Sequence, residues 1–318
     1  MKKDIKILLS ISELDSSFQK MIDMLNKYAI VDVVDLSNYS LAGYDIFIGK
    51  KLSINKLAEA DKLKYIFAYK TGVDDFPLAE LEKMGVTLIN SHADSRIIAE
   101  YAFGLSVSLV NRINEFDLNL RHGVWYDVDN LYWKSIFNMK VGLFGYGHIG
   151  KDIHKILIQN NIQTATIDRG HIYENIHLVD SLEELVKYCD LIICSVPKTP
   201  ETDNLFNKEM FSLMEGKFIV NVGRSNIIDE KELYEVLKNK KIGGAAIDTW
   251  DEKPKNKCTK LMPSEYSFHD LDNIILSPHA AMRVENGHER YVMDVTLNVI
   301  NLITKDEVCN VVSYKKGY

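Results

Sequence analysis

Short apolar runs rich in β-branched residues alternate with amphipathic stretches along most of the chain. The runs IKILL (5–9), VDVVDL (31–36), YDIFIG (44–49), KYIFAY (64–69) and VTLIN (86–90) have the length and composition of strands. Between them, SSFQKMIDMLNKY (16–28) and PLAELEKMG (77–85) carry helical spacing. The second has Pro77 near its start, where a missing N–H costs nothing, and Gly85 at its end, where left-handed backbone is wanted. Regular strand–helix alternation predicts a mostly parallel sheet with helices on both faces.

A longer apolar-periodic stretch, 95–121, predicts one long helix that leaves this first domain. The segment 122–138 is irregular and rich in aromatics. A second alternating series begins at MKVGLFGYGHIG (139–150). Its later strands are TATID (164–168), DLIICSV (190–196), FIVNV (218–222), GAAID (244–248) and NIILS (273–277). A final helix, about 284–304, is expected to return to the first domain. No short-period repeat or low-complexity tract interrupts the pattern.

Composition narrows the classes. The 318 residues suit two domains, and 46% apolar with 26% charged residues is an ordinary globular balance. The formal net charge is −7, and no Lys/Arg block forms a stripe, so nucleic acid is not an expected partner. The four cysteines, Cys189, Cys194, Cys258 and Cys309, form no C-x-x-C. They read as reduced thiols in a cytoplasm, with Cys189 and Cys194 as small buried hydrophobes and no metal expected. The apolar stretch near the N-terminus is too short for a signal peptide and nothing reaches the length of a membrane span.

The chemistry starts at Gly145-Tyr146-Gly147-His148-Ile149-Gly150, a G-x-G-x-x-G run. The motif alone is weak. Here it comes after the apolar strand MKVGLF, opens the amphipathic stretch IGKDIHKILIQN, and precedes a strand ending at Asp168, the context of a dinucleotide-binding turn. Gly145 allows the turn, Gly147 lets the backbone approach a pyrophosphate, and Gly150 lets helix and strand pack closely. The helix start presents N–H groups to the anion. Asp168 would accept hydrogen bonds from ribose hydroxyls and repel a 2′-phosphate, which favours NAD over NADP, although the neighbouring Arg169 could tolerate that phosphate.

Four more strand ends carry polar groups: SVPKTPET (195–202), FIVNVGRSNIIDE (218–230), GGAAIDTWDEKP (243–254) and NIILSPHAA (273–281). Ligands of open α/β sheets bind outside the carboxyl ends of strands, so these ends converge on one crevice. An arginine there, Arg224, can hold a carboxylate bidentately while polarising a keto oxygen. A histidine, His279, can give or take a hydroxyl proton near neutral pH. A lone Arg in a turn is more often surface and a lone His more often structural; the joint placement carries the reading.

These motifs resemble the D-isomer-specific 2-hydroxyacid dehydrogenases. The glycine run, PKTPET, NVGRSNIIDE, the stretch YKTGVDDFPLAELEKMGVTLINSHADSRIIAEYAFG and the tail NVVSYKKGY are similar to that family over nearly the whole chain. The resemblance implies two doubly wound parallel-sheet α/β domains. Residues 1–100 and 285–318 would form a flavodoxin-like substrate domain, and 101–284 a Rossmann NAD-binding domain. It implies hydride transfer between NAD(H) and a small 2-hydroxy or 2-keto acid. Gly145, Gly147, His148, Ile149, Gly150, Asp168, Arg169, Val196, Pro197, Thr202, Val222, Gly223, Asp248 and His279 would line the cofactor, with Asp248 on the nicotinamide carboxamide. Arg224 would bind substrate and His279 act as acid/base, while Thr71 and Gly72 would offer backbone N–H groups to the substrate carboxylate. A homodimer through the helix near 98–118 is also implied.

Three positions depart from the family pattern. Lys253 stands where the family places the glutamate that pairs with its histidine; a carboxylate there raises the imidazole pKa and an ammonium lowers it. Glu252 is the candidate replacement, with Asp251 and Asp272 as alternatives. His148 replaces a common arginine, and Ser225 replaces a glycine. Lys253 also favours two other readings: an NAD(H)-sensing binding or regulatory protein on the same scaffold, or an enzyme whose substrate carries a second acidic group. Lys70, His92, Arg96, Trp125, Tyr132 and Trp133 are pocket or packing residues with equal weight.

Overall fold

The structure, a computed structural model, describes residues 4–35, 39–125, 132–170, 173–251 and 260–317. The chain divides into two compact units, Met1–Asp94 with Val284–Tyr318, and Ser95–Arg283. The first divide falls at 94/95 and not at 100/101. Ile98, Ala99 and Ala102 pack with Val141, Leu143 and Ile153, so the helix that begins at Ser95 belongs to the second unit along its whole length.

The first unit contains β1 (Lys6–Ile11), α1 (Ser16–Leu25), β2 (Ile30–Asp35), β3 (Ile46–Gly49), α2 (Ile54–Leu57), β4 (Tyr65–Ala68), α3 (Leu78–Met84) and β5 (Thr87–Ile89). Its sheet runs β2-β1-β3-β4-β5 with every neighbouring pair parallel, the flavodoxin-like order. Strands other than β2 are buried on both faces and read as continuous apolar runs, while β2 at the edge is mostly exposed. On one face Ile7, Leu9, Ile48 and Phe67 meet Phe18, Met21 and the last helix, Gly287–Lys305, through Val292, Val295 and Val299. On the other, Leu8, Phe47, Ile66 and Leu88 meet Leu57 and Leu81. Local signals behave as expected. Asp15 caps α1 by accepting from Phe18 N–H at 3.0 Å, and Gly85 ends α3 with φ 66°.

The second unit contains α4 (Ser95–Val110), α5 (Ile113–Arg121), β6 (Lys140–Phe144), α6 (His148–Gln159), β7 (Gln163–Ile167), β8 (His177–Val179), α7 (Leu182–Tyr188), β9 (Leu191–Cys194), α8 (Lys208–Ser212), β10 (Phe218–Asn221), α9 (Glu230–Lys238), β11 (Gly244–Ile247) and β12 (Ile274–Leu276). Its sheet is fully parallel, β12-β11-β10-β9-β6-β7-β8, a doubly wound Rossmann sheet whose order reverses between β6 and β9. Cys189 and Cys194 are free thiols inside its core, and burial pushes the Cys189 thiol up to about 12.

The single long helix expected over 95–121 is two helices. Arg112 breaks it by taking a left-handed backbone, φ 56°, while its guanidinium binds Glu115 through two 2.7 Å bonds. The apolar spacing runs on through Ile113, Phe116 and Leu120, but these side chains are 50%, 37% and 49% exposed and α5 buries no residue. Periodicity there marks an uncovered apolar face. Among the described residues, no helix is long and apolar enough to cross a membrane.

Candidate active site at the carboxyl edge of the second sheet

At the switch point, β6 and β9 pair so that Phe144 lies opposite Cys194, which brings the loops after both strands together. Gly145 turns the chain with φ 108°, and a Cβ on it would meet Ser195 Oγ at 2.9 Å and Val196 Cγ1 at 3.0 Å. A Cβ on Gly150 would lie 2.0 Å from the Gly145 carbonyl oxygen, so α6 can approach its strand only through glycine. Gly147 is the N-cap of α6, with no side-chain cap and with open space where a Cβ would stand. His148 and Ile149 occupy the first turn, and Ile149 packs onto the core while His148 is exposed. Uncapped N–H groups at an open, glycine-lined helix start are the surroundings a pyrophosphate requires. The residues present therefore fit a dinucleotide.

Asp168 comes directly after β7 at the exposed edge, and its Oδ1 accepts from Gly170 N–H at 2.8 Å. Arg169 N–H donates to the Tyr173 hydroxyl at 3.0 Å, and the Tyr173 ring packs on Tyr146 at 5.1 Å between centroids. Tyr146 and Tyr173 thus form a wall beside the glycine turn that motif reading did not pick out. Behind it His154, 4% exposed, links α6 to Thr164 and to the Glu174 carbonyl, each at 3.0 Å.

The P-x-T-x-x-T loop is held by its own threonines. Thr202 Oγ1 donates to the Pro197 carbonyl at 2.7 Å and accepts from Thr199 N–H at 2.8 Å. Asn226 Nδ2 then donates to Asp203 at 2.7 Å, and Phe206 bridges to Ile228, which ties this loop to the turn after β10. In that turn Asn221 Oδ1 accepts from Gly223 N–H at 3.0 Å while its Nδ2 donates to the Arg224 carbonyl at 2.9 Å. Gly223 lies so near Val196 that a Cβ would sit 2.7 Å from its carbonyl oxygen. Val222 is buried, and half-buried Arg224 donates through Nη1 to the Gly223 carbonyl at 3.0 Å.

After β11 and β12 come Asp248 and His279. Asp248 is 1% exposed and accepts from the Ser277 hydroxyl, from Ala280 N–H at 2.7 Å and from Ala281 N–H at 3.2 Å. His279, half-buried, stands between these donors with φ 55°. The structure thus gathers Gly145, Gly150, Val196, Thr202, Gly223, Arg224, Asp248 and His279 on the loops of one sheet edge within the second unit. Thr71 and Gly72 lie just after β4 in the first unit; Thr71 Oγ1 donates to the Ser91 carbonyl at 2.9 Å. Glu252 and Lys253, on which the His–carboxylate pairing turns, lie outside the described residues. Asp272, the more distant alternative, instead pairs with Lys240 at 2.9 Å.

Residues 103–281 match the sequence profile of the D-isomer specific 2-hydroxyacid dehydrogenase NAD binding domain. The chain belongs to this family. It is 31% identical over 250 residues to the D-3-phosphoglycerate dehydrogenase of Methanocaldococcus jannaschii, covering 76% of this chain and 46% of that protein. It is 26% identical over 264 residues to the glyoxylate reductase of Thermofilum pendens, covering 80% of this chain and 76% of that protein. The chain spans about half the length of the curated phosphoglycerate dehydrogenases it matches. An acyclic imino acid reductase solved with NADPH and D-Arg superposes with a TM-score of 0.81 at 23% identity, covering 97% of this chain and 100% of that one, a likeness of fold. The Rossmann unit of this family member is accordingly an NAD-binding domain.

Proposed function

We propose that the chain transfers a hydride between NAD(H) and a small 2-hydroxy or 2-keto acid. The observation that carries this reading is that Arg224 and His279 follow β10 and β12, two strands apart, at the carboxyl edge of the sheet that holds the glycine cradle. The glycine cradle would hold NAD(H), which when bound would supply or accept the hydride at the substrate C2. Arg224 would hold the carboxylate and polarise the neighbouring keto oxygen through its fixed fork of N–H donors. His279 would donate the proton that the developing alkoxide needs, and remove it in the oxidative direction. Thr71 and Gly72 would add backbone N–H donors to the carboxylate. Asp168 at the ribose end supports NAD over NADP.

The purified chain with NADH should consume the reduced nicotinamide when offered at least one of glyoxylate, pyruvate, hydroxypyruvate or phosphohydroxypyruvate. The His279→Ala variant should lose about 10²–10⁴-fold in kcat, the range of a positioned acid/base, with NADH affinity kept. Tight NADH binding without turnover on the whole panel defeats the enzyme reading and leaves the sensing protein that Lys253 favoured.

A homodimer is part of the proposal. A nine-residue helix that buries nothing is marginal in water, and α5 exposes Ile113, Phe116, Leu118 and Leu120, followed by Trp125 at 72%. A second copy of the same chain would cover that face. Sedimentation should find a dimer in the wild type and a shift to monomer in Phe116→Glu/Leu120→Glu; a monomeric wild type removes the assembly from the proposal.

A further inference from the structure

The loop after β7 presents two consecutive backbone N–H groups, those of Arg169 and Gly170, at the exposed edge of the second unit. Gly170 takes a left-handed backbone, φ 71°, with open space where a Cβ would stand. Successive N–H groups in such a turn form a concavity for an anion. Here they follow directly on Asp168, the carboxylate expected to meet the adenosine ribose. They are the donors that a phosphate on the ribose 2′-oxygen would call on.

Both groups are already taken. Asp168 Oδ1 accepts from Gly170 N–H at 2.8 Å, and the Tyr173 hydroxyl accepts from Arg169 N–H at 3.0 Å. The same hydroxyl donates weakly to the Ile167 carbonyl at 3.5 Å, so it bridges the strand end and the loop. Tyr173 is held from two sides. Its ring packs on Tyr146 of the glycine turn at 5.1 Å between centroids, and the carbonyl of the next residue, Glu174, meets His154 Nε2 of α6 at 3.0 Å. Asp168 excludes a phosphate by charge. Tyr173 works by another route, because a phosphate that reaches this loop sheds water and finds the Arg169 donor occupied.

We infer that Tyr173 is a cofactor-selecting residue: its hydroxyl occupies the Arg169 N–H and so withholds from the 2′-phosphate of NADP a donor that the loop would otherwise supply. The inference rests on the NAD(H) reading of this unit. A hydrogen bond to a charged group changes an equilibrium constant by about 10–100-fold. Asp168, Arg169 and Gly170 are exposed, so the low end applies here.

Fluorescence titration of the whole chain should give a tighter Kd for NADH than for NADPH; the reverse order overturns the inference. In Tyr173→Phe, which keeps the ring on Tyr146, NADPH affinity should rise about 10-fold while NADH affinity stays within about 2-fold. An unaltered Kd ratio, or a joint loss of both affinities, would mean that Tyr173 only packs the wall, and overturns the inference. Two backgrounds test the donor itself. Arg169→Ala keeps the N–H and should preserve the gain, whereas Arg169→Pro removes the N–H and should abolish it. A gain lost in Arg169→Ala assigns the effect to the guanidinium and also overturns the inference. Without cofactor, the Arg169 amide should exchange hydrogen faster in Tyr173→Phe, and unchanged protection rejects the bond. A wild type that binds neither nucleotide defeats the NAD(H) reading and the inference with it; an unaltered ratio in a chain that binds NADH overturns the inference alone.

Discussion

The two sheets end in different ways at their carboxyl edges. In the second unit the edge is shaped by side chains that are missing: Gly145, Gly150 and Gly223 each stand where a Cβ would strike neighbouring atoms within 3.0 Å. In the first unit the edge is shaped by side chains that are present and bonded to one another. Tyr69 donates to the Ser10 carbonyl at 3.0 Å, Asn90 to the Thr71 carbonyl at 2.7 Å, and Ser91 to Asp294 at 2.5 Å. Tyr291 meets Thr71 at 3.2 Å, and Arg290 binds Asp94 at 2.9 Å. The first arrangement keeps backbone N–H groups open to an anion; the second makes a rigid ledge pinned by the last helix. Two fully parallel sheets of different strand order thus yield a cradle and a platform, set by the loop residues at their strand ends.

The largest effect should come from the platform. Asp94 is fully buried, and Asp94→Ala strands the Arg290 guanidinium, whose Nη2 is already without a partner. Breaking a buried pair costs about 3–5 kcal/mol; with the Arg290 side chain 36% exposed, the lower end, about 3 kcal/mol, is expected in urea denaturation. A loss under about 1 kcal/mol, the size of a surface pair, would mean that the last helix does not pin this edge. In the cradle, Gly150→Ala should cost about 1–3 kcal/mol through overpacking against the Gly145 carbonyl, and should abolish NADH binding in a fluorescence titration. Wild-type NADH affinity in that variant would break the contrast, because the cradle would then not depend on a missing side chain.

The smallest effect is a pH dependence seated behind the cradle. Burial holds the His154 imidazole below its ordinary 6.5, outweighing the opposing hydrogen bond to the Glu174 carbonyl. For a base depressed in the folded state, the unfolded chain binds the proton more readily. This contribution is complete above 6.5 and is lost as the pH falls from there toward the depressed folded value. His288 in the first unit is also lowered, by burial and by Lys50, so the whole-protein acid limb reports both groups. His154→Gln should flatten only part of it. Identical acid limbs in the variant and the wild type would remove His154 from the account.

Much of the cradle was legible because its signals are local. The spacing from Gly145 to Gly150, the strand before it and Asp168 after it all fall within one strand–helix–strand unit. The strand ends bearing Arg224, Asp248 and His279 were legible for the same reason: apolar runs stop where polar residues begin. Less visible was what those residues bond. Ser277 bonds Asp248 across 29 positions, and Tyr101 bonds Ser277 across 176. β8, three residues with two exposed, carries almost no apolar pattern. Arg112 was hidden by a periodicity that continues across it on a face that the chain itself leaves uncovered.

Sequence by itself determined the alternation of elements, the parallel character of both sheets, the dinucleotide turn and the family, because each depends on short-range spacing or on glycine at a few backbone positions. Tertiary structure alone decided the platform, where bonds join residues 203 and 220 positions apart. It alone decided the break at Arg112 and the bonds that Asp248 accepts from Ser277 and Ala280 on either side of His279. The reason is common to all three. A buried polar group must find a partner wherever the fold brings one, and the distance along the chain to that partner leaves no periodic trace.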